Sequence, residues 1–238
     1  GFPNCSDSPS LQLPPNPGGA CAEESFSSAA SLLRAILSLC SGERAAGVGS
    51  TAEDFSFFCT IEAFSTKHTA GEEATVQVFG KVHSIPRKQA TYGDAGLTYT
   101  YSGVTRLACP WTPTLEYIRD VVTKTTGHTF NFVLVNRYKD GQDHMGEHRD
   151  DEKELDPLCP IASVSLGAAR DFIFRHRDAR GKHSCRQINP VKLQLAHGSL
   201  LLMNSPTNTF WYHSLPVRKK MSMPRINLTF RRIMDRKK

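Results

Sequence analysis

Between residues 225 and 231 the chain reads Arg-Ile-Asn-Leu-Thr-Phe-Arg, polar and apolar by turns at every step. A period of two is the signature of an extended strand, because successive side chains leave opposite faces of the backbone. Ile226, Leu228 and Phe230 then share a face that packs into a core, while Arg225, Asn227, Thr229 and Arg231 share the other. Two guanidiniums on an inward face are costly unless a carboxylate or phosphate meets them. This face is therefore expected to line a cavity that holds something anionic, for which a small dicarboxylic acid would serve. The competing reading is an outward-facing basic strand.

Similar texture recurs along the chain. Residues 97–101, 130–138, 161–166, 171–176, 187–193 and 199–203 are short runs with strand character, and 76–82 reads as a strand pair with Phe79-Gly80-Lys81 at its tip. A helix is predicted at 113–125, and Asp140-Gly141 is a strong turn signal. Many short strands following a helix predict a mainly β fold with flanking helices, a sandwich or jelly roll.

The N-terminal part differs. Residues 1–30 are rich in Ser, Pro, Gly and Ala and poor in large apolar side chains, so they cannot repay the entropy of ordering and are expected to be disordered. Residues 31–75 form a segment of uncertain helix or loop character, with helical spacing through Leu32, Leu33, Ile36 and Leu39; residues 76–238 form the main domain. The chain opens on Gly rather than Met, as a fragment or processed form would. No run approaches the roughly 20 apolar residues needed to span a membrane. The most apolar stretch, 29–40, contains Arg34 and follows Glu23 and Glu24, where a secretory signal would carry positive charge. Seven scattered cysteines without a C-x-x-C pair fit a reducing compartment.

Charge divides the chain in the same place. Residues 1–75 hold three Lys/Arg against nine Asp/Glu, a charge of −6, and the remainder holds 26 against 14, a charge of +12. A basic excess confined to one segment is the footprint of a polyanion binder. Basic residues in that segment include Arg87, Lys88, Arg175, Lys182 and the run Arg218-Lys219-Lys220, which is otherwise a solvated face.

His148 and Asp150 flank Arg149, so in extended chain their side chains point to one side and can reach one ion. His213, in the run Trp211-Tyr212-His213, is the best third ligand. Two His and one carboxylate make the facial triad of non-haem Fe(II) oxygenases, with positions open for co-substrate and oxygen. By itself the H-x-D pair is also compatible with an exposed polar turn. Asn136 and Tyr138 share a strand face just before this segment and present an amide and a phenol. A structural zinc domain is disfavoured, since no cysteine has ligand spacing.

Taken together, His148-Arg149-Asp150, His213 and Arg225-x-Asn227-x-Thr229-x-Arg231 resemble the AlkB family of oxygenases. The stretches NFVLVNRYKDG, GEHRDDE, PIASVSLGA, LAHGSLLLMN and WYHSLPVRKK are similar to its vertebrate branch that repairs double-stranded DNA, nearly without gaps over about 76–232. The resemblance implies a double-stranded β-helix, or jelly roll, with nucleotide-recognition hairpins at about 76–105. It implies Fe(II) on His148, Asp150 and His213, which are then also the catalytic residues. It implies 2-oxoglutarate with its distal carboxylate on Arg225 or Arg231, Asn136, Tyr138, Asn227 and Thr229 completing the pocket, and O2 as oxidant. The implied reaction strips N-alkyl groups from 1-methyladenine or 3-methylcytosine in duplex DNA, with ethenoadenine left open, and releases formaldehyde, succinate and CO2.

The same resemblance places Tyr99, Thr100 and Tyr101 against the flipped base, and Asp151 and Glu152 near its polar edge. It makes Phe79, Gly80 and Lys81 a finger inserted into the duplex, with Arg87, Arg175, Lys182, Arg218, Lys219 and Lys220 on phosphates. Val82 stands where the family pattern leads one to expect Trp, and Tyr101 where it leads one to expect Phe. A nuclear monomer is implied, and a replication or repair partner leaves no motif in the N-terminal segment. Two alternatives stand beside this reading: a single-strand DNA or RNA demethylase of the same family, and a catalytically silent nucleic-acid-binding relative.

Overall fold

The computed structural model describes residues 75–78, 81–84, 87–101, 104–181 and 186–234, with backbone alone at 75–78, 81–84, 101 and 104. The expectations for residues 1–74, for the finger residues Phe79 and Gly80 and for Lys182 lie outside the described residues.

In chain order the strands before the long helix are β1 (Thr75–Val78), β2 (Lys81–Ser84), β3 (Lys88–Gly93), β4 (Thr98–Tyr101), β5 (Val104–Leu107) and β6 (Cys109–Pro110). Helix α1 spans Pro113–Thr126. Then follow β7 (Phe132–Tyr138), β8 (Met145–His148), β9 (Ile161–Gly167), β10 (Arg170–His176), β11 (Val191–Leu195), β12 (Ser199–Met203), the short helix α2 (Thr207–Phe210), β13 (Trp211–Leu215) and β14 (Arg225–Arg231).

Strands β7 to β14, with β3 and β6 added at the edge of one sheet, form a jelly roll of two sheets. One sheet has the order β12-β9-β14-β7-β3-β6, the other β11-β10-β13-β8, so successive strands cross between sheets as well as pairing within them. β14 is central: all seven of its residues pair with β7, and six pair with β9 on the other side. Its alternation works as read from the sequence. Ile226, Leu228 and Phe230 join Leu115, Ile118 and Val122 of α1 in the outer core. Arg225, Asn227, Thr229 and Arg231 are buried on the inner face, between the sheets. Each fully buried Leu or Ile here contributes ~1.5–3 kcal/mol of burial, so the helix holds the sheet from behind and leaves the inner face for polar groups.

α1 starts where the sequence signals it. Thr112 caps Leu115 N with its side chain, Pro113 takes the first turn, and Gly127 ends the helix at φ 73°. The ribbons β1–β2 and β4–β5 lie outside the two main sheets. Tyr99 of β4 anchors the second ribbon against Phe132 and Leu134.

Two expectations change. The strand read at 187–193 is β11 at Val191–Leu195, beginning directly after Pro190, which has no N–H to give a ladder. Asp140-Gly141 does bend the chain, but it closes no hairpin, because β7 and β8 belong to different sheets. Gly141 is required there by close approach: a Cβ would sit 1.8 Å from the Arg218 carbonyl oxygen. Strands β3, β5, β6, β8 and β13 carried no readable alternation of their own.

Candidate active site

β8 and β13 lie side by side, with His148 directly paired to His213. Asp150 follows two residues beyond the end of β8, with one carboxylate oxygen near each ring. Ligating atoms of His148, Asp150 and His213 all lie within 4.8 Å of one another. His148 Nε2 is 3.7 Å from Asp150 Oδ1, and His213 Nε2 is 3.8 Å from Asp150 Oδ2. His148 Nδ1 is 2.9 Å from the Gly146 carbonyl, which can only accept, so the proton sits on Nδ1 and Nε2 is turned to the carboxylate with its lone pair. Phe172 stacks on His213 at 5.3 Å between centroids and fixes its ring plane.

Electrostatics keep this group ready to ligate. Asp150 is 5% exposed and His213 2%. Burial alone would raise the Asp150 carboxyl, but Arg231 and the two histidines outweigh it and hold it at about 2. Burial lowers His213 to about 4, although Asp150 pulls the other way. Both are thus in their ligating forms at neutral pH. Asp150 Oδ1 is buried with no hydrogen-bond partner. An orphaned carboxylate oxygen between two imidazoles is the donor set a divalent cation takes up.

The two arginines of β14 separate here. Arg231 Nη2 meets Asp150 Oδ2 at 3.1 Å, and that ion pair holds the guanidinium protonated well above its ordinary range. Arg225, 2% exposed, donates from Nη2 to Ser165 Oγ at 2.9 Å and stacks 5.3 Å from the Tyr138 ring centroid. Its Nε has no partner, and burial lowers the guanidinium to about 10. Asn227 donates to Ser163 Oγ and Val164 O, and Thr229 donates to Asn227 Oδ1. Asn136 Oδ1 accepts from Arg87 Nε at 2.9 Å and Gln89 Nε2 at 2.8 Å.

Several placements differ from the sequence reading. Arg87 is 8% exposed and donates inward to Asn136 and to the His144 carbonyl, so it belongs to the interior network and not to a phosphate-gripping surface. Arg218 is committed to Asp171 through Nε at 2.7 Å and Nη2 at 2.5 Å, which turns it from an outward charge into a strut. Arg175 is exposed yet paired with Glu147 at 3.1 Å. Lys219 and Lys220 are exposed. Asp151 pairs with Arg149 at 2.5 Å. Thr100 is bonded across the ribbon to Thr105 at 2.9 Å, and Lys81 and Tyr101 are described by backbone alone.

Tyr99 and Glu152 form one unit. The Tyr99 hydroxyl donates to Glu152 Oε1 at 2.8 Å, its ring lies 5.1 Å from Phe132, and the Arg231 guanidinium stands 5.3 Å from its centroid. Burial, and then the nearby Asp150 charge, raise the Glu152 carboxyl. A cleft of about 480 Å³ reaches Asp150, Glu152 and Arg231 from solvent. Sequence reasoning missed Ser163, Ser165 and Arg170. The serines alternate with Ala162, Val164 and Leu166 and were legible as a second inward polar face; Arg170, at the start of an aromatic strand, carried no signal.

The model of the 2OG-Fe(II) oxygenase superfamily matches residues 60–231. The chain belongs to that superfamily. Within it, the chain is a member of the AlkB family: it is 68% identical over 172 residues to the DNA oxidative demethylase ALKBH2 of Mus musculus, covering 72% of each chain. The Homo sapiens protein of that name is also 68% identical over 172 residues, 72% of this chain and 66% of that one. The human alpha-ketoglutarate-dependent dioxygenase alkB homolog 3 is 39% identical over 152 residues, 62% of this chain and 52% of that one. Against the Bos taurus ALKBH2 the match spans 60% of the relative's length. This oxygenase therefore works with Fe(II), 2-oxoglutarate and O2, and its described residues include no helix long and apolar enough to cross a membrane.

Proposed function

We propose that this chain oxidatively removes N-alkyl groups from bases in double-stranded DNA. The observation that carries the co-substrate half of the reading is Arg225, a buried guanidinium lacking a carboxylate among the described residues and set on the same inner face as the triad. A distal carboxylate of 2-oxoglutarate supplies what burial withholds, with Ser165 and Tyr138 beside it. The pairing of Arg231 with Asp150 favours Arg225 over Arg231 for that role. The DNA half is supported by the 68% identity to demethylases named for DNA, against 39% to alkB homolog 3, and by the +12 charge beyond residue 75.

In this reading His148, Asp150 and His213 would hold the iron. Bound there, the metal and co-substrate would supply the oxidation of an N-alkyl C–H bond by O2, with 2-oxoglutarate consumed to succinate and CO2 and the alkyl carbon released as formaldehyde. The chain's own residues do the rest. Arg231 keeps Asp150 ionised. Arg87 and Gln89 fix Asn136 with its carbonyl oxygen toward them, so its amide nitrogen is left for the co-substrate. Tyr99 holds Glu152, whose carboxylate accepts from the exocyclic amine of a flipped adenine or cytosine and favours a cationic lesion. Arg175, Lys219 and Lys220 meet phosphates, which gives affinity without sequence preference. Such a substrate places the protein in the nucleus.

The test is formaldehyde and succinate release from matched duplex and single-stranded oligonucleotides carrying one 1-methyladenine, with Fe(II), ascorbate and 2-oxoglutarate. Turnover on the duplex supports the reading. Turnover confined to the single strand replaces it with the single-strand demethylase, and none on either substrate leaves a silent binding relative.

A further inference from the structure

We infer that Asp171 is a positioning residue for DNA: through Arg218 it holds the Lys219-Lys220 turn at the angle in which both lysines meet phosphates. The inference rests on the reading that this chain binds duplex DNA.

Residues 218–221 form a tight turn closed by Met221 N to Arg218 O at 2.8 Å, with Lys219 and Lys220 exposed at its two corners. The turn is pinned from below by residue 141. Arg218 N donates to Gly141 O at 2.7 Å, and Gly141 N donates to Met221 O at 2.8 Å. It is pinned from the side by Asp171, whose Oδ2 takes Arg218 Nε at 2.7 Å, Arg218 Nη2 at 2.5 Å and Lys192 Nζ at 3.2 Å. The remaining nitrogen, Nη1, donates to Val217 O at 3.0 Å. All three guanidinium nitrogens of Arg218 are thus used within the protein.

Asp171 sits on β10 beside Arg170, whose side chain reaches the opposite way. Arg170 donates to the carbonyls of Asp140, Asp143 and Pro216 at 3.1, 3.0 and 2.8 Å. Arg170 thus ties the 139–144 loop to Pro216, and Asp171 beside it holds Arg218 of the turn. A lysine pair on a loose turn would lose side-chain and backbone freedom on meeting DNA; one already held there loses less, and binds more tightly for the same contacts.

This assignment makes an unusual prediction of sign. Asp171→Asn removes a negative charge from a DNA-facing surface and releases Arg218 and Lys192, so long-range electrostatics alone predicts tighter binding. The strut predicts weaker binding, about 3- to 10-fold in Kd for undamaged duplex, as expected when the ordering of about one further side chain is deferred to binding. In a Lys219→Ala/Lys220→Ala background the same substitution has nothing to position and causes no further loss, which isolates the coupling. The double lysine variant itself lowers the slope of log Kd against log salt by about 1.8.

The measurement is fluorescence anisotropy of a labelled duplex with the full chain at several salt concentrations, with uncoupled 2-oxoglutarate turnover as a check on folding. Weaker binding by Asp171→Asn that disappears in the lysine-free background supports the strut. Equal or tighter binding by Asp171→Asn overturns it and leaves Arg218 as a phosphate contact released from Asp171. An unchanged salt slope in the double lysine variant also overturns it, while duplex repair by the wild type stands or falls separately on the formaldehyde assay.

Discussion

Arg231 Nη2 lies 3.1 Å from Asp150 Oδ2, whereas Arg225, at the other end of the same strand, meets no carboxylate among the described residues. The two substitutions to methionine are therefore expected to move stability in opposite directions. Arg231→Met leaves Asp150 buried and unpaired, at a cost of ~3–5 kcal/mol in the metal-free protein. Arg225→Met removes a buried charge that only Ser165 and the Tyr138 ring satisfy, and raises the unfolding temperature of the co-substrate-free protein. Thermal unfolding of both variants without metal checks this; an equal loss in both would show that Arg225 is already satisfied.

Adding the co-substrate reverses the order for Arg225. Arg225→Met is expected to raise KM for 2-oxoglutarate on the order of 100-fold or more, the cost of leaving a buried carboxylate unpaired. Arg225→Lys keeps the charge but loses the planar fork, and recovers only part of that. Steady-state succinate formation against 2-oxoglutarate concentration separates these, and an unchanged KM in the methionine variant removes Arg225 from the pocket.

Tyr99 and Glu152 are expected to act in series. Glu152→Gln converts the acceptor facing the base into an amide, and kcat/KM on 1-methyladenine falls by ~1–3 kcal/mol of barrier. Tyr99→Phe removes one hydrogen bond to Glu152 Oε1, for a loss of about 1 kcal/mol. Because the hydroxyl acts through the carboxylate, the double variant is no slower than Glu152→Gln alone. Additive losses would mean that Tyr99 touches the base on its own account.

The site was legible where chemistry and period coincide. The β14 alternation placed both arginines on the inner face, and His148, Asp150 and His213 were recognisable by residue type and by resemblance. Which arginine lacks a carboxylate was not legible, because it depends on the pairing of Arg231 with Asp150, a contact between residues distant in sequence. Arg87 was misplaced for the same reason. A basic residue beside Lys88 reads as surface, and only the pairing of β3 with β7 turns it toward Asn136. Arg218 looked like one of three equivalent charges; its partner, Asp171, lies on another strand, and nothing local marks it.

Gly141 is a position where the sequence signal was right about the residue and wrong about the reason. Its φ is not the issue; the space is. A methyl group there would sit 1.8 Å from Arg218 O and 2.9 Å from Met221 Cβ. Gly141→Ala is expected to cost at least ~1–3 kcal/mol by overpacking and to loosen the 218–221 turn before the rest of the fold. Hydrogen exchange at Met221 N, which is bonded within that turn, should rise more than at β14. Protection lost evenly across both would show that the turn and the sheet open together.

The acid limb of stability offers a reading of Asp171 that needs no DNA. Burial alone would raise this carboxyl, but hydrogen bonds from Arg218 and Lys192 outweigh it and lower it from 3.8. A depressed native value means that, as pH falls, the unfolded chain binds the proton before the native one does. The stabilisation is thus complete above the unfolded value and lost as pH falls through the native one. Arg218 and Lys192 are substantially exposed, so solvent screening keeps the effect small. Urea midpoints of the wild type and Asp171→Asn are expected to differ by a constant amount from about pH 7 down to about pH 4 and to converge below that. A gap that persists under acid conditions would mean that the asparagine disturbs packing on β10, and not the ion pair.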